Sequence, residues 1–163
     1  MRPMPHPRSK LRLPLAGPAL ALALSSLAGQ ALADPCAAVP ERGPLPPGLE
    51  RGAVFQGPVA YVGDGDSLCV ATGRPDDPRR WVEVRLADFY GPELNAPGGR
   101  EAKAALVRLS KDRRAVCRAQ HRSYDRIVAV CRVDGRSLGD LMRAQGVREA
   151  GRGYMGAPMP RPR

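Results

Sequence analysis

The feature that most constrains the fold is a series of short apolar runs, each bounded by glycine, proline or polar turn residues. Three runs with β-strand character come first at close spacing, in residues 53–62, 66–72 and 81–89. Two more follow a segment of different period, in residues 115–119 and 126–133, joined by the polar turn QHRSYD. Runs this short predict the strands of a small, mainly β domain.

Two segments predict helices instead. The apolar residues of the first, which begins at Gly98, share one helical face opposite its charges: Ala102, Ala105, Leu106 and Leu109. Residues 136–146 predict a second, short helix that Ser137 can cap and Gly146 can end. Five strands with a helix between the third and fourth predict an α+β, mainly β fold, a five-stranded Greek-key OB-fold barrel with two helices. A generic α+β domain is the alternative.

The first 33 residues have the pattern of a signal peptide. A basic segment precedes an apolar stretch that is short for a membrane span, and Ala-Leu-Ala suits cleavage before Asp34. An uncleaved anchor is the alternative, disfavoured because two prolines and a glycine interrupt the apolar stretch. We expect an exported, monomeric protein, periplasmic or secreted, without stable membrane insertion after cleavage.

The exported part divides by composition into three segments. Residues 34–52 form a lead-in rich in proline and glycine, 53–150 form the domain, and 151–163 form a flexible basic tail. Removing the four basic residues of the signal leaves 22 basic and 16 acidic residues, a net charge of +6. Such a field attracts a polyanion such as nucleic acid, although a solvated basic surface has the same composition.

The four cysteines all follow the predicted cleavage site, and no CxxC pair exists, which favours disulfides over a zinc site. Cys117 and Cys131 lie in consecutive strands that antiparallel pairing would bring together. Two buried free thiols are the alternative. A bridge between these two leaves Cys36 to pair with Cys69, which would tie the lead-in to the second strand.

Charged residues gather where the predicted strands end. Asp64 and Asp66 flank Gly65 in a tight turn, which alone would be read as a solvated hairpin. Arg85 lies within an apolar strand, where a buried guanidinium needs an anionic partner. Together with Glu93 and Arg126, these residues predict a site that handles a phosphate.

Four short motifs, in order, resemble the staphylococcal nuclease (thermonuclease) family. They are VGDGDSLCV, VRLADFYGPE, SYDRIVAV and LMRAQGV, and they span roughly residues 53–150. The family pattern is a strand ending in D-G-D-T, then R-L-x-x-x-D-x-P-E, a helix, Y-G-R before a strand, and a short helix ending in Q-G-L or Q-G-V. The resemblance implies an OB barrel and metal-dependent hydrolysis of phosphodiesters in DNA or RNA.

The resemblance also implies a role for each matching residue. Asp66 would bind the metal, Arg85 and Arg126 would clamp the phosphate, and Glu93 would activate or orient the attacking water. Ser67 keeps the hydroxyl of the family's threonine, and Tyr124 falls on a tyrosine that contacts the nucleotide. Calcium suits this chemistry because it is a hard cation that prefers oxygen ligands.

One residue departs from the family pattern at the metal site. The second metal-binding aspartate stands five residues after the arginine, and this chain has Tyr90 there. A neutral phenol is a poor substitute for a carboxylate. Asp88 could supply an oxygen through a water or a shifted ion, or it could pair with a neighbouring arginine, which we favour slightly.

Three functional hypotheses follow. The first is an exported, calcium-dependent endonuclease, with activity reduced by Tyr90. The second is an OB-fold module that binds nucleic acid or another partner and is catalytically weakened. The third is a disulfide-stabilised structural domain of the cell envelope. Asp66, Arg85, Glu93 and Arg126 favour the first, and Tyr90 favours the second.

Overall fold

A computed structural model describes residues 34–151, so the predicted signal segment and the basic tail after Gly151 lie outside the described residues. Five strands form a closed barrel with two helices packed on it. The strands are β1 (Val54–Val62), β2 (Ser67–Ala71), β3 (Trp81–Leu86), β4 (Arg114–Ser123) and β5 (Arg126–Val133). The helices are α1 (Gly99–Ser110) and α2 (Leu138–Ala144). A 3₁₀ turn at Pro78–Arg80 and a two-residue strand, β6 (Arg136–Ser137), complete the elements.

The barrel is mixed in strand direction. The order is β3-β2-β1-β4-β5, with β6 beside β5, and every neighbouring pair in that order is antiparallel. A parallel pairing of β3 with β5 closes the barrel, with Arg85 opposite Val128. Closure leaves no open edge between these two strands. The mainly β prediction with five strands and two helices is confirmed, and the arrangement is consistent with an OB-like barrel.

The period of two in β3 explains which residues face the barrel interior. Val82, Val84 and Leu86 are fully buried, whereas the residues between them are only partly buried. In β2 all five residues are buried. The outer face of the barrel beside β2 is therefore covered by another part of the chain.

The proline- and glycine-rich lead-in provides this cover. Val39 and Leu49 join the buried core, and the N–H of Ala38 donates to the carbonyl of Trp81 at 3.0 Å. The guanidinium of Arg122 in β4 donates to two lead-in carbonyls, those of Gly43 at 2.6 Å and Pro40. These contacts make the lead-in part of the folded body.

Two disulfides agree with the pairing expected from the sequence. Cys36 is bonded to Cys69, with Cα atoms 5.7 Å apart, which ties the lead-in to β2. Cys117 and Cys131 lie directly opposite each other in β4 and β5, with Cα atoms 4.1 Å apart. No cysteine of residues 34–151 is left as a free thiol.

Two strand boundaries differ from the predictions by more than one residue. The expected polar turn over residues 120–125 is mostly strand, because an irregularity in register between Ala119 and His121 lets β4 remain paired with β5 as far as Ser123. Only residues 124 and 125 form the turn. The third strand ends at Leu86 rather than at residue 89, because the chain then leaves the barrel to pack Gly91 against Gly65.

Within residues 34–151, neither helix is long and apolar enough to cross a membrane.

The Cys36–Cys69 disulfide should be the stronger of the two covalent restraints. It closes a loop with a sequence separation of 33, against 14 for Cys117–Cys131. We expect the double variant Cys36→Ser/Cys69→Ser to lose about 3–4 kcal/mol of unfolding free energy, because the unfolded chain regains the entropy of that loop. Urea unfolding with linear extrapolation measures the loss. The matched Cys117→Ser/Cys131→Ser variant should lose less, and the reverse order would contradict this explanation.

Candidate functional site

The turn between β1 and β2 fixes the first site residue, Asp66. Its backbone N–H donates to the Asp64 carboxylate at 2.9 Å, and its carbonyl accepts from the N–H of Leu86 at 2.8 Å. The Asp66 residue is only 2% exposed. Asp66 is therefore held by both the turn and strand β3, with its carboxylate inside the protein.

The Asp66 carboxylate connects three segments of the chain. Its Oδ2 accepts from the N–H of Gly91 at 2.8 Å and from Nη2 of Arg85 at 3.0 Å. The close approach requires glycine, because a Cβ at position 91 would lie 2.6 Å from the carbonyl carbon of Gly65. A carboxylate in this environment must be paired to tolerate burial.

The electrostatics of Asp66 reflect both its burial and its neighbours. Burial raises the pKa of the Asp66 carboxyl to about 7, and the nearby Asp64 carboxylate adds to this effect. Arg85 and the Gly91 N–H act in the opposite direction. Arg85 is thus the main positive charge that favours the ionised form of Asp66.

A cavity of about 320 Å³ lies beside this ion pair. It is lined by Arg85, Leu86, Ala87, Tyr90, His121, Ser123, Arg126 and Val128. Both arginines reach the cavity because β3 and β5 are paired in parallel and present Arg85 and Arg126 on the outer face of the barrel. Two guanidinium groups at one cavity form a site suited to an oxyanion such as phosphate.

Tyr90 forms one wall of this cavity. The guanidinium carbon of Arg85 lies 5.1 Å from the centroid of the Tyr90 ring, a cation–π contact. The carbonyl of Tyr90 accepts from the N–H of Ala150 at 2.9 Å, which ties the segment after α2 to the site. Arg85 is therefore held between a carboxylate and an aromatic ring.

The structure brings together three of the residues predicted for the site, and three others do not line the cavity. Asp66, Arg85 and Arg126 lie at or beside the cavity. Glu93 is exposed and does not line it, and Tyr124 is 74% exposed at the tip of the β4–β5 turn. Ser67 is buried, and its Oγ accepts from the N–H of Asp64 at 3.2 Å, so it supports the turn instead of facing a ligand.

Asp88 does not reach the Asp66 region, and its carboxylate lies at the start of α2. Its Oδ2 accepts from the hydroxyl of Ser137, the residue that caps α2, and its carbonyl accepts from Arg143. The other carboxylate oxygen of Asp88 is buried without a hydrogen-bond partner. The prediction of Asp88 as a metal ligand does not fit these contacts, because β3 has already ended and the side chain points to α2. The alternative, a contact with an arginine, is made by the backbone of Asp88 and not by its carboxylate.

The residues present do not fit a calcium ion. Calcium takes six to eight oxygen ligands in proteins. One oxygen of Asp66 already accepts from two donors, the second aspartate position is Tyr90, and Asp88 faces α2. A separate group formed by Asp34, Cys36 and Cys69 cannot supply thiolates, since its two sulfurs form a disulfide.

The sequence did not indicate two titratable residues of the site. His121 was expected in a turn, but the irregularity in β4 places it on the cavity wall. Glu83 stands two residues before Arg85, so both side chains lie on the same face of β3. This spacing is the sequence signal that could have identified Glu83 as a neighbour of the site. The β3–β5 register, which sets Val84 opposite Ile127, places Glu83 beside Arg126.

Glu83 lies in a negative environment. Burial raises the pKa of the Glu83 carboxyl to about 7, with further contributions from Asp34 and Asp125, while Arg126 acts in the opposite direction. Ionised Glu83 therefore places a negative charge next to one of the two cavity arginines.

Neither the scan against protein-family models nor the search of curated proteins found a match to this chain.

The raised pKa of Glu83 predicts a pH-dependent stability. The folded state binds the proton more tightly than the unfolded state, so this carboxyl lowers the unfolding free energy as pH rises from about 4.5 through about 7. Glu83→Gln should therefore be more stable than the parent at pH ~8, by about 1–2 kcal/mol after solvent screening, and nearly equal at pH ~4.

Thermal unfolding across this pH range measures the effect. Glu101→Gln, which changes an exposed carboxylate on α1, is the matched control and should show no comparable gain. If Glu83→Gln and the parent differ in stability by the same amount at every pH, the raised pKa of Glu83 is not the cause.

Proposed function

We propose that the protein binds nucleic acid and holds a backbone phosphate at the cavity between Arg85 and Arg126. The observation that carries this proposal is the presence of two guanidinium groups from neighbouring strands at one cavity. Guanidinium groups present donors in a geometry that matches phosphate oxygens, and Arg85 is preorganised by Asp66 and Tyr90. Such contacts provide most of the affinity in nucleic-acid binding.

The barrel and the charge of the chain support the same function. OB-type barrels commonly bind oligonucleotides on an outer face, and the arginines lie on an outer face here. The net charge of +6 expected for the exported part would attract a polyanion over a longer range. The four motifs that resemble the staphylococcal nuclease family favour an OB fold of that type.

Hydrolysis of the bound phosphodiester is the second candidate function. The resemblance implies it, and Asp66, Arg85 and Arg126 occupy the corresponding positions. Two observations weigh against it: Tyr90 stands at a metal-ligand position, and Glu93 is exposed and is not among the residues that line the cavity. We therefore place phosphate binding first. Either function would operate in the exported protein that the signal segment and the disulfides favour.

The binding proposal predicts a specific effect of Arg126→Ala. Fluorescence anisotropy of a labelled single-stranded oligonucleotide should show weaker binding. The slope of log K against log salt should become shallower by about one unit, because one phosphate contact is lost. Arg74→Ala is the matched control, because Arg74 is exposed, pairs with Asp76 and does not line the cavity. Equal losses in the two variants would argue that binding is a diffuse effect of net charge.

The hydrolysis candidate predicts a different outcome. Cleavage of single-stranded DNA, followed with and without millimolar calcium, should be slow in the parent and should rise in Tyr90→Asp, which adds a carboxylate near Asp66. Binding without cleavage in both proteins would eliminate this candidate and leave the binding proposal intact. Calcium-dependent cleavage by the parent would instead show that Asp66 and its neighbours hold a calcium ion despite Tyr90.

A further inference from the structure

A second cavity, of about 370 Å³, adjoins the one between the arginines. It is lined by Ala87, Asp88, Phe89, Tyr90, Arg143, Glu149, Ala150 and Gly151. Ala87 and Tyr90 line both cavities, so these two residues lie between them. A molecule that fills both cavities would therefore contact Tyr90.

A contact with Arg85 holds the Tyr90 ring, and two hydrogen bonds hold the backbone around it. Arg85 lies against it at 5.1 Å from the centroid, and the backbone carbonyl of Tyr90 accepts from Ala150. The next residue, Gly91, is fixed by its N–H donation to Asp66. A ring that is held before a ligand arrives loses little conformational entropy when the ligand binds, and this favours stacking.

The chemistry of the two cavities differs in a way that matches the two ends of a nucleotide. The first has Arg85 and Arg126 and suits a phosphate. The second has the aromatic residues Phe89 and Tyr90 and three charged residues: Asp88, and Arg143 paired with Glu149, with Nε 2.6 Å from Oε1. In a nucleotide, a single sugar separates the base from its phosphate. The two neighbouring cavities therefore suit the two ends of one nucleotide.

We propose that Tyr90 is a stacking platform for a nucleobase, which occupies the cavity formed with Arg143 and Glu149 while the attached phosphate lies between Arg85 and Arg126. This inference rests on the proposed nucleic-acid-binding function. It assigns a ligand-binding role to the residue that departs from the nuclease pattern. Stacking on an aromatic ring accepts every base, and the Arg143–Glu149 pair lies where the polar edge of the base would meet it.

The proposal separates the energy of base binding from the energy of phosphate binding. Removing the aromatic ring removes stacking, but Arg126 remains available to the phosphate. The affinity for a normal oligonucleotide should then fall, whereas the number of phosphate contacts, read from the salt slope, should not change. If Tyr90 only supported Arg85, its removal would weaken binding equally with and without a base on the probe.

The test uses the full-length chain, expressed with its own N-terminal segment and purified in oxidised form. Two labelled probes of equal length are compared by fluorescence anisotropy: oligothymidylate and an abasic oligodeoxynucleotide with the same number of phosphates. The parent protein should bind oligothymidylate more tightly. Tyr90→Leu should weaken binding of oligothymidylate by about 5- to 150-fold more than it weakens binding of the abasic probe, whereas Tyr90→Phe should resemble the parent.

The outcomes distinguish this inference from the proposed function. Equal affinity of the parent protein for the two probes overturns the stacking role and leaves phosphate binding in place, and this comparison requires no variant to fold. A Tyr90→Leu variant that loses affinity for both probes to the same extent also overturns it, because the tyrosine would then act only through Arg85. If the parent binds neither probe, the proposed function fails and this inference fails with it.

Discussion

The buried carboxylate of Asp66 is the interaction on which the site depends. It joins the turn after β1, strand β3 through Arg85, and the loop after β3 through the N–H of Gly91. Each partner is needed for a physical reason. Arg85 neutralises a charge that burial would otherwise destabilise, and the glycines at 65 and 91 allow the two backbones to approach. The pair also orients the Arg85 guanidinium that faces the cavity.

The contacts of the Asp66 carboxylate with Arg85 and Gly91 also bear on the metal centre that the sequence suggested. An aspartate that accepts from an arginine and from a backbone amide has less capacity to coordinate a hard cation. Tyr90 adds a ring contact to Arg85 where the family pattern has a second aspartate. Asp66, Arg85 and Tyr90 thus combine a buried carboxylate, an aromatic ring and a guanidinium that lines the cavity. We therefore propose phosphate binding ahead of metal binding at this site.

The sequence predicted those parts of the structure that depend on local patterns. Alternating apolar residues indicated the strand positions in β3, the helical period indicated α1, and the cap and stop residues Ser137 and Gly146 indicated α2. The irregularity in β4 that turns His121 towards the cavity depends on pairing with β5 and has no local signal. The contact of Asp88 with Ser137 depends on where the chain leaves the barrel after Leu86. Motif order identified Asp66, Arg85 and Arg126, but it could not show that Asp66 and Arg85 bind each other.

Binding of a nucleic-acid phosphate between Arg85 and Arg126 can be observed directly by NMR. The full-length, oxidised chain is titrated with oligothymidylate while the side-chain Nε–Hε resonances of the arginines are followed. We expect the largest shifts at Arg85 and Arg126, saturating together, with Arg74 unaffected. Shifts concentrated instead at Arg118 and Arg132, beside the exposed Val54 and Val116, would contradict phosphate binding at this cavity.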